Sequence, residues 1–140
     1  SAGRRDMGRY QEIEHTADLA LHLWATDLPD LFATAAQGML SLFVEVDDAA
    51  PVETAELTLT ALDVETLLID WLNELLYFVE VQGIAFTMFE FTELTLTALA
   101  ATLRGGPVWT YTGYVKAATF HDLSVLATPA GYETEIVFDT

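Results

Sequence analysis

Apolar and polar positions change period several times along the chain, and each change marks an element. Over residues 19–24 the order Leu, Ala, Leu, His, Leu, Trp puts Leu19, Leu21 and Leu23 on one side, the alternation of a half-buried strand. Asp27 then precedes Leu28 and Pro29, an N-cap followed by a proline whose missing N–H would be unpaired in a first helical turn anyway. Leu28, Leu31, Phe32, Ala35, Met39, Leu42 and Phe43 recur at steps of three and four, which predicts a helix to about Phe43, closed by Asp47, Asp48 and Pro51. Period two returns over 52–62. Asp63 is the expected N-cap of a second helix, whose stripe is Val64, Leu67, Leu68, Trp71, Leu72, Leu75, Leu76 and Val79, with Gly83 as its stop. Residues 86–91 and 94–103 read as strands, Arg104-Gly105-Gly106-Pro107 as a turn or loop, and 111–119, 123–128 and 132–138 as three more strands, the last two joined at 129–131.

A strand, a helix, a strand, a helix and then strands in succession predict a single α+β domain, with two main helices packed on a largely antiparallel sheet. Residues 1–8 show no apolar period, so residues 1–9 are read as a flexible N-terminal arm and 10–140 as the domain. The strand-helix-strand unit occurs about twice.

Composition narrows the chemistry. Among 140 residues, 52% are hydrophobic and 19% charged, which is the balance of a folded chain with one core. No apolar run is long enough to cross a bilayer as a helix and no export signal opens the sequence, so the cytoplasm is the expected compartment. The absence of cysteine excludes disulfides, thiolate nucleophiles and sulfur-ligated zinc, leaving oxygen and histidine as metal ligands. Five Lys and Arg against twenty-two Asp and Glu give a formal charge of -17, a field that repels phosphate backbones and attracts cations or basic proteins. Direct nucleic-acid binding is not expected. Arg4, Arg5 and Arg9 lie near the start, so Arg104 and Lys116 are the two cations of the body.

Glycine-rich phosphate loops, HExxH, EF-hand loops and GxSxG elbows are all missing. Four polar spots stand out instead. Asp18 sits at the mouth of the first predicted strand, where an Asx turn would also account for it. Asp139 follows Ile136-Val137-Phe138, and a solvated carboxylate is the ordinary expectation there. If the first and last predicted strands are neighbours, however, Asp18, Asp139 and the α-carboxylate of Thr140 could converge as hard oxygen ligands for Ca²⁺, Mg²⁺ or Mn²⁺. His15 and His121 are either satisfied by backbone or act as ligands or orienting groups. Lys116 is open to a salt bridge or a partner contact. Asp70, Asn73 and Glu74 are a solvated helix face or a docking surface. His22, inside an alternating strand, is read as structural.

Taken in order, these spots resemble the archease family across 10–140. The resemblance is carried by Glu14-His15-Thr16-Ala17-Asp18, by Leu67-Leu68-Ile69-Asp70-Trp71-Leu72-Asn73-Glu74-Leu75-Leu76-Tyr77, by Lys116-Ala117-Ala118-Thr119-Phe120-His121-Asp122-Leu123 and by Val137-Phe138-Asp139-Thr140. Phe120 stands where the family often has tyrosine, Ala118 where it often has valine, and Thr140 where it usually ends in an aliphatic residue. The resemblance implies a cytoplasmic protein cofactor, not an enzyme, that activates the GTP-dependent RNA ligase joining 3′-phosphate to 5′-hydroxyl ends in tRNA splicing and RNA repair. It would do so by promoting guanylylation of the ligase. It further implies that Asp18 and Asp139 bind a divalent cation with help from the Thr140 carboxylate; His15, Lys116 and His121 are candidates for contacting the partner or supporting those ligands. Two other classes stay open: a metal-assisted hydrolase using Asp18, His121 and Asp139, and a chaperone, either general or with tRNA methyltransferase as client.

Overall fold

The computed structural model describes residues 8–14, 19–46 and 52–140. Its elements are β1 (Arg9–Glu14), β2 (Leu19–Ala25), α1 (Leu28–Ser41), β3 (Val44–Val46), β4 (Glu53–Thr60), α2 (Val64–Tyr77), β5 (Ile84–Leu94), β6 (Ala98–Tyr111), β7 (Ala117–Ala118), β8 (Leu126–Thr128) and β9 (Gly131–Asp139). Both helices start where the caps predict. Asp27 accepts from the Asp30 N–H at 2.9 Å and Asp63 from the Thr66 N–H at 2.8 Å. Hydrogen bonds from the Thr66 side chain and backbone hold the Asp63 carboxyl below its usual range. After Tyr77 the helix widens into a π turn over Phe78–Gln82 and stops at Gly83, whose φ of 67° is left-handed.

The fold class is the α+β arrangement expected, with the strands divided between two sheets. One runs β1-β2-β9-β7, with β8 also paired to β9; in the other, β6 pairs with β3, β4 and β5. Every pairing is antiparallel. α1 touches β1 and β2 of the first sheet and β3 and β5 of the second, while α2 touches α1, β4 and β7. This position explains why α1 buries Thr34, Ala36, Gly38 and Leu40 in addition to its predicted stripe. The core centres on Trp71, Phe32, Phe138, Leu21 and Leu23, all fully buried.

Four readings of the sequence change. β1 is an added strand, and it takes in Arg9, assigned above to the arm, because Arg9 pairs with Trp24. β3 is also new; at three residues it is too short for periodicity to reveal. The predicted turn at 104–107 lies inside β6. A Cβ on Gly105 would fall 2.0 Å from the Ala85 carbonyl oxygen, so glycine is what lets β5 pass close by at its register shift between Phe86 and Met88. Pro107 follows at the position whose N–H would face the β4 side, beyond the last described bond to that side, Val52 N–H to Gly105 O. Finally, the strand expected over 111–119 contracts to Ala117–Ala118, and that over 123–128 to Leu126–Thr128.

Candidate functional site

The register of β2 against β9 brings the start of one strand to the end of the other: Leu19 lies opposite Phe138. The first and last predicted strands are thus neighbours, as the cation site requires. Asp139 closes β9 and is exposed, with Ala117 of β7 paired to it on the side away from β2. Thr140 follows, also exposed and in contact with other groups of the protein. Asp18 and His15 lie outside the described residues. Among the described residues no three His, Asp or Glu side chains form a metal-binding group. Asp139 and Thr140 offer hard oxygen donors of the type that suits Ca²⁺, Mg²⁺ or Mn²⁺, and a complete set needs a further carboxylate.

Lys116 reaches the same sheet end through its backbone, donating to the Asp139 carbonyl at 2.7 Å, while its side chain is exposed. Val115 before it is buried, which pins the approach. Beyond β7, Thr119 donates to the Val137 carbonyl from both its N–H, at 3.0 Å, and its hydroxyl, at 2.9 Å. The chain then turns: Leu123 N–H bonds the Phe120 carbonyl at 3.0 Å, with Asp122 at φ 50°, a conformation that aspartate tolerates better than most residues. His121 sits on this turn, exposed, with its Nε2 3.4 Å from Asp122 Oδ2. Lys116 and His121 therefore stand on one segment that leads away from Asp139, on the face of the sheet end opposite β2.

Two residues of α2 hold that segment: Asn73, read above as part of a solvated face or docking surface, and Glu65, which the sequence did not single out. The Asn73 carboxamide donates to the Ala118 carbonyl at 3.2 Å and accepts from its N–H at 2.9 Å. Glu65 accepts from the Val125 N–H at 2.9 Å. The one available signal was a lone carboxamide among acids on a polar helix face, which is too common to separate a clamp from a solvated residue. Asp70 and Glu74 of the same face are half-buried. His22, set aside as structural, is held by Glu133 at 2.6 Å and packs on Trp24 at 4.6 Å between ring centres.

Comparison with known proteins supplies the family. Residues 10–140 match the family described as Archease protein family (MTH1598/TM1083). The protein archease of Methanosarcina mazei is 30% identical over 139 residues, covering 94% of this chain and 95% of that protein. The protein archease of Methanopyrus kandleri is 33% identical over 137 residues, covering 93% and 98%. Among solved structures, Methanobacterium thermoautotrophicum protein 1598 superposes with a TM-score of 0.71 at 23% identity, over 94% of this chain and 98% of that one. An archease from Thermotoga maritima, described as a possible chaperone, superposes with a TM-score of 0.67 at 24% identity, over 93% and 96%. These two share the fold of α1 and α2 with the antiparallel sheets. A family match over the whole folded region, carried by relatives of nearly equal length, establishes that this chain belongs to the archease family.

Proposed function

We propose that this protein is a non-enzymatic, cytoplasmic cofactor that binds a divalent cation and activates a GTP-dependent RNA ligase by promoting its guanylylation. The cation ligands in this reading are Asp18, Asp139 and the Thr140 carboxylate, with His15, Lys116 and His121 near or beyond them. The observation that carries it is the register of β2 on β9. Asp18 is one peptide bond from Leu19 and Asp139 one from Phe138, and those two residues are cross-strand partners. Bound there, a divalent cation would supply the positive charge that lets carboxylates face a phosphate-bearing site. The protein's own contribution is placement: β9 carries Asp139, β7 carries the approach of Lys116, and the -17 charge draws the molecule to a basic protein surface while disfavouring bare RNA.

The test is the rate at which purified ligase takes up guanylate from GTP, with and without this protein, in Mn²⁺ and in chelator. The expected result is an acceleration of about tenfold or more that disappears on chelation. An unchanged rate at saturating protein contradicts the reading. A protein-binding chaperone is the second reading, favoured by the exposed aromatic side chains Trp109, Tyr111, Tyr114 and Phe120. Suppressed aggregation of unrelated clients, without ligase stimulation, would support it.

A further inference from the structure

β7 is two residues long, and a two-residue strand has little means of holding its own register. On its β9 side it is tied by Lys116 to Asp139 and by Thr119 to Val137. Both backbone polar groups of Ala118 face the opposite way, toward α2, and would need solvent or another strand. Asn73 takes both. Its planar carboxamide presents one acceptor and one donor to the N–H and C=O of a single residue, which is what a neighbouring strand would offer, and Ala118 is 5% exposed. Val115 on the near side is buried, and on the far side Glu65 accepts from Val125 while Thr134 donates to the Ser124 carbonyl at 2.7 Å. The exposed stretch that carries Phe120, His121 and Asp122 is thereby fastened at both ends to α2 and β9.

From this geometry we infer that Asn73 is a positioning residue: acting as a one-residue strand, it fixes the Lys116–Asp122 segment beside Asp139 so that its exposed side chains meet the partner in one arrangement. The inference rests on the reading of the Asp139 end as the activating site. Aspartate at position 73 keeps the shape and the acceptor but loses the donor and sets a negative charge against the Ala118 carbonyl. Leucine keeps the volume and loses both bonds. Neither change touches the apolar face of α2, so the fold should remain.

The experiment compares wild type, Asn73→Asp and Asn73→Leu by amide hydrogen exchange and by ligase guanylylation, with Mn²⁺ titrated in each case. In Asn73→Leu the Ala118 and Thr119 amides should exchange about tenfold faster, and in Asn73→Asp, where the Ala118 N–H keeps an acceptor, the Thr119 amide should do so, while Leu21 and Ile136 in the middle of the β2–β9 ladder keep wild-type rates. Maximal stimulation should fall about tenfold, with the Mn²⁺ concentration for half-maximal stimulation unchanged. Because aspartic acid can donate once protonated, the Asn73→Asp variant should recover part of the amide protection as pH falls below about 4, and Asn73→Leu should not. Unchanged exchange at Ala118 and Thr119 would overturn the clamp, and faster exchange with full stimulation would overturn its positioning role. Wild-type protein that fails to stimulate, together with locally faster exchange in the variants, would refute the ligase reading and leave the clamp standing.

Discussion

The two faces of α2 are held by different forces. On the inner face Leu67, Leu68, Trp71, Leu72 and Leu75 are excluded from solvent. Trp71 packs edge-on against Phe89 at 5.1 Å and at a tilt against Phe91 at 5.4 Å, and its Nε1–H donates to the Phe32 carbonyl at 2.9 Å. On the outer face Asn73 makes two hydrogen bonds and Glu65 one to a segment whose turn is exposed. Apart from the Trp71 hydrogen bond the inner contacts are nonpolar, numerous and mutually replaceable in part, so they set the stability of the whole domain. The outer contacts are few and directional, each worth about 0.5–1.5 kcal/mol, so they contribute little to stability and determine where one segment lies. Stability and site geometry are therefore carried by opposite sides of the same helix, and each side can be disturbed separately.

The largest expected effect is on the inner side. Trp71→Ala should cost about 3–5 kcal/mol, since it opens a cavity among Phe32, Phe89 and Phe91 and removes the indole hydrogen bond to the Phe32 carbonyl. Urea denaturation measures this, and any loss of activity should follow the fraction unfolded. A loss below about 1 kcal/mol would mean that the site collapses around the gap, and that the inner face is not the stability centre described here.

A smaller effect is expected at the start of α2, where the sign with pH is fixed. The bonds from Thr66 favour ionised Asp63, so its folded pKa lies below the unfolded value. The stabilisation is present in full above the ordinary aspartate value, about 3.9, and is lost as pH falls through the lower folded value. Asp63→Ala should therefore lower the melting temperature by a few degrees at neutral pH, with the gap to wild type narrowing as pH falls below the ordinary aspartate range. A gap independent of pH would show that the cap acts through shape alone.

What could be read from sequence follows the same division. Helices and their caps were legible because Leu67, Trp71 and Leu75 repeat at helical spacing and Asp27 and Asp63 stand just before the stripes. The α+β class followed from element order. The path of β6 through Gly105 and Pro107 was not legible, because the reason for those residues is the passage of β5, a tertiary fact. The contraction of the 111–119 strand was hidden for a similar cause: Tyr111, Val115 and Ala117 keep an alternation, but Tyr111 ends β6 against β3, and of the residues after it Ala117 and Ala118 pair with β9. At the candidate site, Asp139 and Lys116 were singled out by residue type, and the register of β2, β9 and β7 brings the backbone of both to one sheet end. The part played by Asn73 needed three dimensions, since no spacing links positions 73 and 118.

The most direct test of the central claim, that the end of β9 is an activating site and not a structural one, is a paired measurement on Asp139→Ala. Asp139 is exposed at a strand end, so the variant should unfold within about 0.5 kcal/mol of wild type. Its stimulation of ligase guanylylation should nevertheless fall to near the rate of ligase alone, and its calorimetric Mn²⁺ binding should be lost, with Asp18→Ala behaving alike. A folded Asp139→Ala protein that binds Mn²⁺ and stimulates the ligase as well as wild type would contradict the account.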